Sequence, residues 1–487
     1  MKPNSHSAPS LLDALTPVIV LITLLASSVF FFKDDSSYGP NQIALILSAA
    51  VAALLGLKHG FTWKELEKGI VHGISLSTSA LLILLVVGSL IGTWILSGVV
   101  PTMIYYGLMI LHPSVFYAAA CAICAVVAIA TGSSWTTAST VGIALIGIAT
   151  ALGLDVGIAA GAIISGSYFG DKLSPLSDTT NLAPAMAGTD LFTHIRHMLW
   201  TTIPSMTLAL ILFAIIGVFS SAHGRADLTT FNQALADSFS LGPHLLIPPA
   251  IVLFLVIKKM PAFPALLIGA LVGGLFAVMF QQDAVLKYVN DPELARVPAL
   301  LKGFWMALFS NYEASTASAD LNKLLTRGGM GDMLNTVWLI MSAMTFGGVM
   351  ETTGMLERIA RSILKLAKST GSLVASTLAT SIGMNIVASD QYIAIVIPGR
   401  MFRAEFENRG LHAKNLSRCL EDAGTLTSPM IPWNTCGAFM AANLGVPTLV
   451  YLPFCFFNMA NPIISAIYGF TGFTIEKIDA ENEDVVA

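Results

Sequence analysis

Apolar residues in this chain fall into long blocks separated by short polar breaks, at 15–32, 43–57, 79–96, 115–131, 136–152, 156–169 and 198–219. The pattern resumes at 244–257, 261–280, 333–350, 373–388, 392–398, 419–443 and 446–470. A helix that crosses a bilayer needs about 20 apolar residues, so the longer blocks read as spans and several others are too short or too interrupted. The pattern predicts an all-α polytopic membrane protein of about 11–13 transmembrane helices, some of them re-entrant hairpins or broken helices. Four polar clusters interrupt the apolar blocks: Thr-Gly-Ser-Ser at 131–134, Ser-Pro-Leu-Ser-Asp-Thr-Thr-Asn at 174–181, Ala-Ser-Asp at 388–390 and Ser-Pro-Met-Ile-Pro-Trp-Asn-Thr at 428–435. Irregular backbone at membrane depth survives only where protein buries it or water reaches it. Those clusters are therefore the candidate site.

Charge sharpens this picture. Lys, Arg, Asp and Glu make up 11% of the 487 residues, against about 25% in a soluble protein, and 55% of residues are hydrophobic. Such a surface needs lipid as its solvent, which excludes an ordinary soluble enzyme. A net charge of −4 without a basic stripe excludes nucleic-acid partners. Between Lys68 and Lys172 lie 103 residues without Lys or Arg. The Cys121-Ala-Ile-Cys124 pair reads as helix packing, and His194 with His197 lacks a third metal ligand.

The chain also repeats itself. A shift of 256 puts Ser97-Gly98 on Thr353-Gly354 and Gly132-Ser133-Ser134 on Ala388-Ser389-Asp390, and a shift of 254 puts Ser174-Pro175 on Ser428-Pro429. Basic residues flank the second-half break (Arg358, Arg361, Lys365, Lys368, then Arg400, Arg403, Arg409, Lys414, Arg418) and are missing from the first-half flanks. By the positive-inside rule the halves are inverted, as in many secondary transporters. The division this implies is N-terminal scaffold helices at 1–72, a first repeat core at 73–190, connecting scaffold helices at 191–332, a second repeat core at 333–443, and a last helix with an acidic tail at 444–487. The Arg358 to Lys368 segment reads as an interfacial helix.

Intramembrane acids are expensive and mark function. Asp178 and Asp390 are the expected carriers of Na+ or H+, since desolvation favours the protonated carboxyl while a bound cation favours the charged one. Asp171, followed directly by Lys172, is either an ion pair at a span end or a third member of the site. Ser133, Ser134, Thr136, Thr180, Asn181, Ser389, Asn434 and Thr435 offer neutral hard oxygens, or cap the helices at the breaks. Asp155 reads as an exposed turn. Glu421 and Asp422 read as interfacial charge at a span entrance, with proton entry as the functional alternative. No phosphate loop or catalytic motif is visible, so no cofactor is expected beyond transported Na+ and H+.

The run from Gly161 through Asp171-Lys-Leu-Ser-Pro-Leu-Ser-Asp178-Thr-Thr-Asn181, followed by Ala187-Gly-Thr-Asp-Leu-Phe-Thr-His194-Ile-Arg-His197, resembles the NhaC-type sodium/proton antiporters. Gly132-Ser-Ser-Trp135 and Ser389-Asp-Gln-Tyr392 with Pro398-Gly-Arg400 resemble the same family, which extends the likeness over most of the chain. The resemblance implies a multi-pass antiporter of the bacterial cytoplasmic membrane, of about a dozen helices. Some relatives exchange malate and lactate, so a sodium-coupled organic-acid carrier is the alternative, with Lys172 and Arg400 as the cations near a bound carboxylate. A homo-oligomer is compatible with either reading.

Overall fold

Backbone groups in hydrocarbon must bond within their own segment, so the apolar blocks have little choice but helix. The computed structural model describes residues 6–32, 36, 38–220, 228–314, 316 and 319–478. Residues 479–487 of the expected acidic tail lie outside them. Among the described residues the regular structure is helical throughout, with only two isolated β-bridges, Tyr312 to Arg327 and Leu411 to Lys477. Among the described residues, nine helices are long and apolar enough to cross a membrane, or up to 11 if each of two sharply bent pairs is one span.

Most blocks become helices within a few residues of the expected bounds, for example Leu11–Phe32, Thr78–Leu96 and Ala262–Phe280. Others differ for local reasons. The block at 198–219 extends back to give Leu191–Ser220, 30 residues long, taking in His194 and His197. The block at 446–470 is divided into Thr448–Tyr451, Leu452–Phe454 and Phe456–Thr471, because Pro453 lacks the N–H that a continuous helix needs there. Amphipathic helices at Trp63–Leu76 and Arg296–Phe309 were below the reach of an apolar-block reading. The basic segment forms Met355–Leu364, which buries Met355, Leu356 and Ala360 and pairs Arg361 with Glu357, while Lys365 and Lys368 fall beyond its end.

One element order occurs twice. A 19-residue helix, Thr78–Leu96, ends at a left-handed glycine, Gly98, with φ 75°. Another 19-residue helix, Leu334–Thr352, ends at Gly354 with φ 71°. After each comes a hairpin, Phe116–Thr131 with Ser134–Ala151 in the first half and Thr370–Val387 with Gln391–Asn408 in the second. After each hairpin comes a broken helix: Val156–Leu173 with Asp178–Ala187, then Ala413–Leu420 with Thr435–Leu444. Small residues bring these elements close. A Cβ on Gly166 would lie 2.0 Å from the Cys121 carbonyl oxygen and one on Gly170 2.4 Å from that of Ala125, so the first hairpin and first broken helix touch backbone to backbone, as small-residue packing permits. Cys121 and Cys124 are buried in this contact as free thiols.

Candidate ion-binding site

Both hairpin tips have the same two-residue backbone. In the first, Gly132 is left-handed (φ 68°) and Ser133 is extended (φ −149°, ψ 115°) and caps the next helix. In the second, Ser389 is left-handed (φ 62°) and Asp390 is extended (φ −143°, ψ 136°) and caps Gln391–Asn408. Ser133 therefore corresponds to Asp390, a shift of 257 rather than the 256 that residue identities suggest. The same shift relates the caps of the broken helices, Ser177 and Asn434, and their left-handed ends, Gly188 (φ 87°) and Gly445 (φ 68°), replacing the 254 read from Ser-Pro. Residue identity misaligned the tips because Ser389 occupies a conformation that the first half gives to glycine.

In this register the acids are exchanged between elements. The second half carries its acid, Asp390, on the hairpin and a hydroxyl, Thr435, on the broken helix, whereas the first half carries Ser133 on the hairpin and Asp178 on the broken helix. Asp390 is buried, and its Oδ1 accepts from the N–H groups of Tyr392 (2.9 Å) and Ile393 (3.2 Å). Thr435 donates its hydroxyl to the other oxygen at 3.4 Å and its N–H to the Ser389 carbonyl at 2.9 Å. Asn434 accepts from the Cys436 N–H and donates to Asn385, whose own amide donates to the Gly424 carbonyl at 2.6 Å. Asn385 was not singled out from sequence, and its position inside an apolar block was the available signal.

The first half is looser. Asp178 is exposed and has no hydrogen bond or ion pair among the described residues, so its carboxylate must meet water rather than lipid. Ser133 accepts from the Thr136 N–H and hydroxyl, both at 3.1 Å. Thr180 donates to the carbonyls of Asp171 and Lys172, and Asn181 donates to those of Ser177 (2.7 Å) and Pro175 (3.0 Å). Asp171 does not pair with Lys172. Its Oδ2 accepts instead from the N–H (3.0 Å) and hydroxyl (2.6 Å) of Ser134, which ties the broken helix to the hairpin tip. Asp155 is exposed, as expected, and also caps its helix through the Gly157 and Ile158 N–H groups.

The two halves meet at the acids. Tyr392, which follows Asp390 by two residues, lies within electrostatic reach of Asp178, Asp390 and Asp171 together. Glu351 reaches Asp390 in the same way. Trp135 of the first tip stacks on Phe439 of the second broken helix, with centroids 3.8 Å apart, and Ser139 donates to Asn443 at 3.3 Å.

The largest departure from the sequence reading lies behind the tips. Glu421 and Asp422, expected at an interface, are fully buried in a π-helical turn, Glu421–Thr425. Lys172, also fully buried, pairs with Asp422 and donates to Asn461 at 2.9 Å. Thr201 donates to Asp422 (3.1 Å) and Thr179 to Glu421 (3.0 Å). Lys172 and Asp422 are 250 residues apart, so no local pattern could have paired them. Lys172 is thus committed to Asp422, and Arg400 is exposed. His194 bonds Ser417 at 2.8 Å.

The sequence is similar to those of known antiporters. The chain is 38% identical over 459 residues to the Na+/H+ antiporter NhaC of Alkalihalophilus pseudofirmus, covering 94% of this chain and 95% of the relative. It is also 38% identical to the malate-2H+/Na+-lactate antiporter of Bacillus subtilis, covering 95% of each. The solved YdaH transporter of Alcanivorax borkumensis aligns over 95% of this chain and 99% of its own at 12% identity, with a TM-score of 0.38. The model of the Na+/H+ antiporter family matches residues 166–473, which take in the larger part of the first broken helix, the second hairpin and the Lys172–Asp422 cluster, and with relatives matched over nearly the whole length the chain belongs to that family.

Proposed function

We propose that this protein exchanges Na+ for H+ across the bacterial cytoplasmic membrane by alternating access, with Asp178 and Asp390 binding the two ions competitively. The observation that carries the reading is the arrangement of carboxylates: one from each half, Asp390 at a hairpin tip and Asp178 at the start of a broken helix, on helices that pack so closely that a Cβ on Gly399 would lie 2.8 Å from the Met186 Cβ, with Tyr392 within electrostatic reach of both. A buried carboxylate favours its protonated form, and a sodium ion favours the charged form, so one group serves both cargoes in turn. In this reading Ser133, Ser134, Thr136, Thr180, Asn181, Ser389, Asn434 and Thr435 offer hard oxygens of the kind a small cation takes, and of these Ser134 bonds Asp171 and Thr435 bonds Asp390. Ser133 caps the second helix of its hairpin and Asn434 caps its broken helix, which fixes the positions of those two oxygens. In this reading 73–190 and 333–443 are inverted repeats, and their relative movement exposes the acids to each side alternately.

A relative named as a malate-2H+/Na+-lactate antiporter supports a second reading, exchange of organic acids with sodium. Against it stands the commitment of Lys172 to Asp422, which leaves no free ammonium there for a substrate carboxylate. Everted vesicles separate the two. Sodium alone is expected to dissipate a preformed proton gradient. Dissipation that requires malate or lactate would overturn the exchange of Na+ for H+ alone in favour of the second reading.

A further inference from the structure

The Lys172–Asp422 cluster contains more oxygen than its own contacts use. Glu421 is fully buried, and its Oε1 accepts from Thr179 at 3.0 Å while its Oε2 has no partner. Thr425, at the far end of the same π-helical turn, is also fully buried, and its hydroxyl has no partner. Thr425 follows Glu421 by four residues on this turn. π-Helical turns are rare, and many sit at functional sites because they bring an unusual set of side chains onto one face.

No cation bonds the Glu421 carboxyl directly among the described residues. Lys172 is the cation whose field reaches it, and Lys172 is bonded to Asp422 and Asn461. Arg418 is directed instead to Thr474, whose hydroxyl accepts from it at 2.8 Å. A fully buried carboxylate without a bonded counter-charge is costly, and one monovalent cation would complete it. Thr179, next to the exposed Asp178, links the cluster to the broken-helix cap, since it bonds both Ser177 (3.2 Å) and Glu421.

We propose that Glu421, Thr425 and Thr179 form a second sodium site, separate from the one at Asp178 and Asp390. The proposal rests on sodium being a cargo of this protein, but it does not require the tip acids to bind it. The donor set, one carboxylate and two hydroxyls beside a π-helical turn, suits a small hard cation.

The test is equilibrium binding of radioactive sodium to the purified full chain in detergent. Two ions per chain are expected in the wild type, one in Glu421→Gln, one in the Asp178→Asn/Asp390→Asn double variant, and none in the triple variant. Thr425→Val keeps the shape of the side chain and is expected to weaken one of the two sites about tenfold or more. It decides the matter if Glu421→Gln does not fold. Unchanged stoichiometry and affinity in Glu421→Gln, or in Thr425→Val where that variant must stand in, overturns the second site. A single wild-type site abolished by the Asp178→Asn/Asp390→Asn change also overturns it and leaves the proposed exchange site standing. Two sites retained in Asp178→Asn/Asp390→Asn but one lost in Glu421→Gln supports the second site and removes the tip acids as sodium ligands.

Discussion

The two hairpin tips share a backbone and differ in chemistry. The second is closed: Asp390 is buried, takes two backbone N–H groups and is linked to Thr435 of its own broken helix. The first is open: Ser133 caps its helix, and the acid stands across the gap on Asp178, exposed and unbonded. The lesson is that a repeated scaffold fixes where a donor can be placed and leaves its identity free. Each half then supplies one acid and one hydroxyl, on opposite elements.

The ion pair behind the tips makes the asymmetry larger. Under the same shift Lys172 corresponds to Pro429 and Asp422 to Ser165, neither of them ionisable. The pair therefore exists once and joins the halves. Removing one partner from a buried pair leaves a bare charge, so Lys172→Met is expected to destabilise the protein by about 3–5 kcal/mol. The melting temperature of the purified protein reads this, and Lys172→Met with Asp422→Leu should recover most of the loss. A Lys172→Met variant that melts like the wild type would show that the tie between the halves lies elsewhere.

Substitutions at the left-handed tip residues should have opposite signs. A Cβ on Gly132 would lie 2.5 Å from the Leu176 Cβ and 2.9 Å from the Leu176 carbonyl carbon, in a backbone with φ 68°. Gly132→Ala is thus expected to cost about 2 kcal/mol or more, from the left-handed strain together with the clash. Ser389→Gly removes left-handed strain and a buried hydroxyl without a partner, for a gain of up to about 1 kcal/mol. Thermal unfolding of the two variants side by side checks the common tip geometry, and equal signs would break the correspondence of Gly132 with Ser389.

Much of this was legible in the sequence, for physical reasons. Hydrocarbon permits little besides helix, so the apolar blocks located most spans, and the polar breaks located both tips and both broken helices. Asp178, Asp390 and Asp171 stood out because charge is costly in such segments. The register of the repeat was misread by one residue at the tip because backbone conformation, not residue identity, is what repeats at Gly132 and Ser389. The pairing of Lys172 with Asp422 was not legible, since it depends on packing between elements 250 residues apart. Reading Glu421-Asp422 as interfacial followed from their place at the edge of an apolar block, where a buried ion pair and a solvated face leave the same trace.

The central claim is that each half contributes one carboxylate to a single exchange site. Sodium-induced dissipation of a proton gradient in everted vesicles, measured for Asp178→Asn and Asp390→Asn at matched protein levels, tests it most directly. Asparagine preserves the helix cap at 390, so loss of activity there would not reflect loss of the cap. The account predicts that sodium leaves the gradient intact in both variants, and wild-type dissipation in either one would contradict it.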